Sequence, residues 1–468
     1  MSTRRVGTLR LGYARDSPLS STAMRIHLLR ALFALCSLCA VASAAASASD
    51  DWLVVQAGQL LDRPGQPPRK ASTVLIHAGR IQAVRDGHVD ASAFADAPAA
   101  TRILDLRDRF VLPGLIDSHV HLTSDKAGIE AQLESVTRGT AFFAYEAAVN
   151  ARKTLAAGFT TVRNLGDRGG VTLALRDAIA AGKLPGPRIL DAGSAISTSA
   201  GHMDPTLGFR DELHDALAAG HTTCDGADDC RRAVRQQIAR GADVIKMATT
   251  GGVNSRIGTG LGQQMFDDEA HAIVETAHLY GRKVAVHAHG ADGIALALRA
   301  GADSIEHGTL LDADTLALWR QKRAWYVPTL STVNGYRERL AANPGAYQGD
   351  VRAKIEWRIG ITGKALRQAV EGGLRIAFGT DAGVSLHGRN ADEFELLVEY
   401  GLTPTQALRA ATLDAAELLG LEKELGSLEI GKHADLIAVS GDPLLDVRVL
   451  KQVDWVLKGG RIEKSPLP

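Results

Sequence analysis

The sequence predicts an α/β chain, a (β/α)8 TIM barrel carrying a small β-sandwich domain built from both termini. Three observations predict it. Eight strand-like runs, at 111–121, 159–164, 188–192, 243–248, 283–287, 303–307, 325–329 and 375–380, alternate with helical stretches. Helix-free runs of short strands lie on either side of them. Residues with metal-ligand chemistry gather at the ends of the central strand-like runs, where a barrel carries its active site.

Residues 1–49 read as a precursor segment outside the fold. Met24 to Arg30 is basic, Ala31 to Val41 is apolar, and Ala42 to Ser49 is a run of small residues. That order describes a secretory signal, with cleavage expected between Ala44 and Asp50. The apolar run falls short of the ~20 residues a spanning helix needs. Translation is expected to start at Met24, and the mature chain to be periplasmic or secreted. With 53 basic and 53 acidic residues the chain offers no electrostatic case for nucleic acid or a membrane surface. Small-molecule chemistry is the remaining class.

Residues 50–112 supply strands and turns: Leu53 to Leu61, Ser72 to His77, the turn Ala78-Gly79-Arg80, then Ile81 to Val84 and Thr101 to Leu106. The same texture returns over 426–468. Neither part has enough strands to bury both faces alone, so one sandwich built from both ends is expected. The barrel is expected over 113–425. Its helical stretches include Tyr145 to Ala156, Asp228 to Arg240, Asp267 to Leu279 and Thr403 to Leu419. Thr403-Pro404 fits a helix start, with threonine as cap and proline at the first helical position. Cys36 and Cys39 leave with the signal. For Cys224 and Cys230, a bridge across the turn and a pair of free thiols both stay open.

His119 and His121 form an i, i+2 pair, so strand alternation sends both imidazoles to one face, where they can chelate an ion. Lys246 follows Val244-Ile245 in a run that should be buried, and a lone ammonium there is costly. Reaction of its neutral amine with carbon dioxide gives a carbamate whose two oxygens can bridge two cations. His287 and His307 supply imidazoles for a second ion. His289 shares the face of His287; contact with substrate, steering of a proton, and a hydrogen-bonding role behind the ligands all stay open for it. Asp381, in Phe378-Gly-Thr-Asp, can ligate an ion, take the proton of a metal-activated water and pass it to the leaving amine.

Leu112-Pro-Gly-Leu-Ile-Asp-Ser-His-Val-His121, Gly241-Ala-Asp-Val-Ile-Lys246, Val286-His-Ala-His-Gly290, Ile305-Glu-His-Gly308, Gly379-Thr-Asp381 and Gly431-Lys-His-Ala-Asp-Leu-Ile437 together resemble the amidohydrolase superfamily. They are similar to its imidazolonepropionase-like branch of Xaa-Pro and Xaa-Arg dipeptidases and ochratoxin-hydrolysing amidases. The resemblance implies that His119, His121, Lys246, His287, His307 and Asp381 hold two divalent ions, usually zinc, with Lys246 as the carbamate. Deaminase and imidazolonepropionase branches carry a glutamate just after the histidine corresponding to His287. None stands here, which favours cleavage of an amide C–N bond in a dipeptide, an N-acyl amino acid or an ochratoxin-like amide. Lactone or ester hydrolysis and deamination are the alternatives, and a non-catalytic binding barrel is the rival from another class. A substrate carboxylate would need a clamp; His202, Arg256 and Tyr326 are the candidates, with Thr329 behind them. Barrels of this type often associate, so a homo-oligomer is also an expectation.

Overall fold

The computed structural model describes residues 52–126, 128–166, 168–256 and 260–466. The expected signal, Met24, Cys36 and Cys39 lie outside them. The chain opens with β1 (Trp52–Leu60), β2 (Ser72–His77), β3 (Arg80–Asp86) and β4 (Arg102–Pro113). Alternation works on both faces of these strands. Val55 and Ala57 join Val74 and Leu104 in one core, while Val54 packs with Leu75 and Phe94 in another. The β2–β3 hairpin turns through Ala78 and Gly79, both at positive φ, the backbone a tight two-residue turn requires.

The barrel strands follow. They are β5 (Leu115–Val120), β6 (Phe159–Asn164) and β7 (Arg188–Asp191), the last continued by β8 (Ile196–Ser197) beside a short β9 (Thr222–Thr223). Then come β10 (Val244–Ala248), β11 (Lys283–Ala288), β12 (Ser304–His307), β13 (Trp325–Val327) and β14 (Arg375–Ile376). Every paired neighbour among them is parallel. Hydrogen bonds join β7 to the start of β10 and the segment after β14 to β5. Asp243 N donates to Asp191 O at 2.8 Å, Ser118 N to Phe378 O at 2.9 Å and Asp381 N to His119 O at 2.7 Å. Every residue of β5, β6 and β10 is buried, as parallel strands inside a ring of helices should be.

The chain returns in β15 (Leu436–Val439), β16 (Val453–Lys458) and β17 (Arg461–Lys464). These complete one seven-stranded mixed sheet in the order β17-β16-β15-β4-β1-β2-β3. The sheet curls: Ile81 N donates to Lys432 O at 2.9 Å and Gly431 N to Ile81 O at 2.8 Å. Its far edge thus meets the segment leading into β15 and encloses a core of Leu53, Val74, Ile81, Leu436 and Leu457. The result is the sandwich-like domain built from both ends.

Two expected elements divide. The run 111–121 belongs to two domains: its first residues finish β4, and Gly114 separates them from β5. A side chain at Gly114 would sit 2.2 Å from Thr160 Oγ1, so only glycine allows this corner. The helix expected over 403–419 is two, Pro404–Ala410 and Leu413–Leu419. Thr403 caps the first as expected. The break falls at Thr412, whose hydroxyl donates to Leu408 O at 2.7 Å and competes with the backbone. Cys224 and Cys230 form a disulfide, Cα atoms 4.9 Å apart, at the start of helix Ala227–Ala239. Among the described residues no helix is long and apolar enough to cross a membrane.

Candidate metal centre

β5 delivers His119 and His121 to the C-terminal mouth of the barrel on one face, and Val120 between them is buried in the core. The Nε2 atoms of the two imidazoles are 3.3 Å apart. Asp381 Oδ1 reaches both, at 3.5 Å from His119 Nε2 and 3.2 Å from His121 Nε2. These three ligand atoms converge closely enough to hold one metal ion. Burial opposes a charge on Asp381, but His119, His121 and Lys246 outweigh it and hold the carboxyl below its ordinary value.

The other histidines ring the same cavity, which has a volume of about 140 Å³. His287 and His307 lie 4.6 Å apart between ring centres, and His307 lies 5.1 Å from His119. His289 stacks on His307 at 5.0 Å. His202 stacks on His287 at 4.1 Å, against Gly252, where a Cβ would fall 2.1 Å from the imidazole. Most of these imidazoles have one nitrogen engaged. His119 Nδ1 pairs with Glu306 Oε2 at 2.8 Å, His307 Nδ1 with Thr329 Oγ1 at 2.7 Å, and His289 Nδ1 with Thr309 Oγ1 at 2.8 Å. That leaves each Nε2 facing the cavity, the arrangement that fixes ring orientation for a metal. His287 is the reverse, with Nε2 3.3 Å from Gly251 O.

Lys246 stands in the middle of β10 and is 1% exposed. Among the described residues its Nζ has no hydrogen-bond partner. Burial pulls its pKa down to about 8, although Glu306 and Asp381 pull the other way. This buried amine is electrostatically coupled to His119, His202, His287 and His307.

The clamp candidates separate. His202 lines the cavity. Arg256 is exposed and hydrogen bonds Gln132 at 3.2 Å on a neighbouring surface depression, away from the metal ligands. Tyr326 is 1% exposed, its hydroxyl donating to His307 O at 3.2 Å; it supports His307 and does not line the cavity. Thr329 likewise serves His307.

Four residues of the site had no role in the sequence reading. Glu306 is fully buried and accepts from His119, from Arg163 Nη2 at 2.8 Å and from Ser304 Oγ at 2.5 Å. Burial works against its charge, yet Arg163 and His119 hold the carboxyl down at about 2. Arg163 also donates to Ser118 O at 2.6 Å, tying β6 to the ligand strand. Asp117 accepts from His119 N, Thr380 N, Thr380 Oγ1 and Asn390 Nδ2, and so fastens the loop that carries Asp381 to β5. Burial raises that carboxyl to about 6 against those bonds. Arg358 reaches the cavity from the far wall. The available signals were slight: an arginine and a glutamate inside apolar strands.

Backbone strain marks the same place. Among the described residues six that are not glycine have positive φ, and three of them are His307, Thr329 and Asp381. Such conformations cost of order 1–3 kcal/mol each and persist where surrounding structure enforces them, commonly at functional sites.

The Amidohydrolase family profile matches residues 110–462, most of the chain. The chain belongs to the amidohydrolase family. With the His119–His121–Asp381 cluster, this makes it a metal-dependent hydrolase acting on amide C–N bonds. Among amidohydrolases of known sequence it is similar to an ochratoxinase of Aspergillus niger, 32% identical over 88% of this chain and 87% of the relative. Among solved amidohydrolase structures it resembles a Xaa-Pro dipeptidase with methionine bound in the active site. That likeness has a TM-score of 0.82 and 39% identity, over 88% of this chain and 99% of the other. A prolidase complexed with N-methylphosphonate-L-proline aligns with a TM-score of 0.79 at 30% identity, over 88% and 100% of the two chains.

Proposed function

We propose that this amidohydrolase cleaves dipeptides or N-acyl amino acids, ochratoxin-like aromatic amides included, with two divalent ions in its barrel mouth. His119, His121 and Asp381 would hold one ion, His287 and His307 the second, and a carbamate on Lys246 both. The observation that carries this reading is the buried Nζ of Lys246, without a hydrogen-bond partner among the described residues, in a residue that lines one cavity with the histidines. The donor set of imidazoles and carboxylates suits zinc. When bound, such ions polarise an amide carbonyl and make water a nucleophile near neutral pH.

The chain's own residues then have definite tasks. Glu306 and Thr329 keep His119 and His307 turned with Nε2 inward. Asp381, held ionised by its neighbours, takes the proton of the attacking water and returns it to the amide nitrogen as the C–N bond breaks. His289, fixed by Thr309, and His202, stacked on His287, face the substrate. The dipeptidase, prolidase and ochratoxinase relatives support a dipeptide or ochratoxin-type substrate. Ala288-His289-Gly290 after His287 contains no glutamate, which weighs against a deaminase.

Elemental analysis and a library of dipeptides, N-acyl amino acids, esters and lactones test this. Expected are about two ions per chain and turnover of amides. Lys246→Ala should lose an ion and its turnover, with partial recovery on adding a short carboxylic acid to replace the carbamate. One ion per chain in the parent enzyme, or undiminished turnover in the alanine variant, would refute the two-ion site.

We also propose that the protein works in the periplasm or outside the cell. The Cys224–Cys230 bridge supports this, since such bonds persist in oxidising compartments. Sequencing the mature protein from a native extract should place its first residue between Ala44 and Asp50; a chain still carrying Met24 in the cytoplasm would contradict it.

A further inference from the structure

Resting on the amide-hydrolase reading, we infer that Arg358 receives the carboxylate of the substrate and so restricts the enzyme to bonds whose amine side ends in a free acid. Arg358 sits near the end of helix Gly349–Gly360, is 4% exposed, and lines the same cavity as the metal ligands. A guanidinium stays protonated in proteins and presents five N–H donors in a planar fork.

Among the described residues no carboxylate pairs with it. Its electrostatic neighbours are Tyr326, Tyr336 and Glu393. Each is otherwise engaged: Tyr326 with His307 O, Tyr336 with Asn254 Nδ2 at 3.1 Å, and Glu393 with the amides of Leu330 and Ser331 at 2.9 and 2.6 Å.

The other cations around the cavity are committed as well. Lys354, one turn earlier, donates to Gly252 O at 3.0 Å and Ser255 O at 2.5 Å. Arg339 donates to Val384 O and Asp125 O. Arg163 is bound to Glu306. Lys246 belongs to the metal end. Arg358 is therefore a buried fork left open toward the cavity, and a charge in that state is costly until an anion meets it. A carboxylate matches its geometry bidentately. Val253, Val384 and Tyr336 wall the space between, so a residue of the substrate lies there with its carboxylate on Arg358 and its amide at the metal ligands.

The test compares one amide substrate as its free acid and as its C-terminal carboxamide. The parent enzyme should favour the acid by ~100-fold in kcat/KM, the scale of charge-assisted bonds to a guanidinium. Arg358→Met should bring that ratio to within a few-fold of unity, mostly through KM for the acid, and Arg358→Lys should restore part of it. Calorimetry on the metal-loaded Asp381→Asn enzyme, with an N-acyl amino acid and its carboxamide, adds a readout with turnover suppressed: the acid should bind more tightly, and that preference should vanish when Arg358→Met is added. Equal use of acid and amide by the parent, with equal binding to the Asp381→Asn enzyme, would overturn the inference while leaving amide hydrolysis standing. So would a preference that survives in Arg358→Met, since the metal end would then hold the carboxylate. Acid-selective binding without amide turnover would uphold Arg358 and defeat the hydrolase reading.

Discussion

Asp381→Asn is expected to lower kcat by about 10⁴-fold, the upper end of what a positioned proton-transfer group contributes. Asparagine is the informative replacement because of the backbone. Asp381 has φ 56°, a left-handed conformation that asparagine accepts and alanine resists. The variant should therefore melt within a few degrees of the parent. The loop is seated by bonds to Asp117 and by backbone bonds of Asp381 and Ala382 to β5 and His121, while the Asp381 carboxylate faces only His119 and His121. His119 and His121 remain as ligands, so much of the metal content should survive elemental analysis. Full metal and intact fold with kcat within ten-fold of the parent would remove Asp381 from proton transfer and leave it a ligand alone.

The barrel was legible because parallel strands buried on both faces read as short apolar runs, and β5, β6, β10 and β11 do. The candidate ligands were legible for a related reason: histidines, a lysine and an aspartate interrupt those runs where a barrel opens, and His119, His121 and Asp381 among them converge. The supports were much less so. Arg163 and Glu306 neutralise each other from strands β6 and β12, and a pairing across 143 positions leaves no trace in either run. Arg358 sits in Gly349-Asp-Val-Arg-Ala-Lys-Ile-Glu-Trp-Arg358, whose charges read as a solvated helix face. Only packing shows that Arg352 reaches Glu356 outside while Arg358 turns inward. Arg256 was the reverse case, an arginine on a glycine-rich loop beside the right strand that settles on the surface. The positive φ at His307 and Asp381 is likewise imposed by tertiary bonds against local preference.

Glu306→Leu is expected to destabilise the protein by about 3–5 kcal/mol, the cost of removing one partner from a buried ion pair. Arg163 would keep its bonds to Ser118 O and Ser304 Oγ but lose the carboxylate that neutralises it. The double variant Arg163→Met, Glu306→Leu should recover much of that loss, because no uncompensated charge remains. Urea denaturation of the metal-free proteins measures both. A second effect separates Glu306 from an ordinary structural carboxylate. It accepts from His119 Nδ1, so its removal frees that imidazole to rotate, and loss of such a bond typically weakens metal binding by about 10- to 100-fold. Glu306→Gln keeps one acceptor oxygen, enough for Arg163 or His119 but not both, and removes the charge; it should lie between parent and leucine variant in stability and in zinc retention against a chelator. If the double variant regains stability but not metal affinity, the two tasks of Glu306 are distinct: it neutralises Arg163 for the fold and aims His119 for the ion. If metal affinity returns with stability, orientation of His119 rests on the strand alone, and Glu306 acts only as the counter-charge of Arg163.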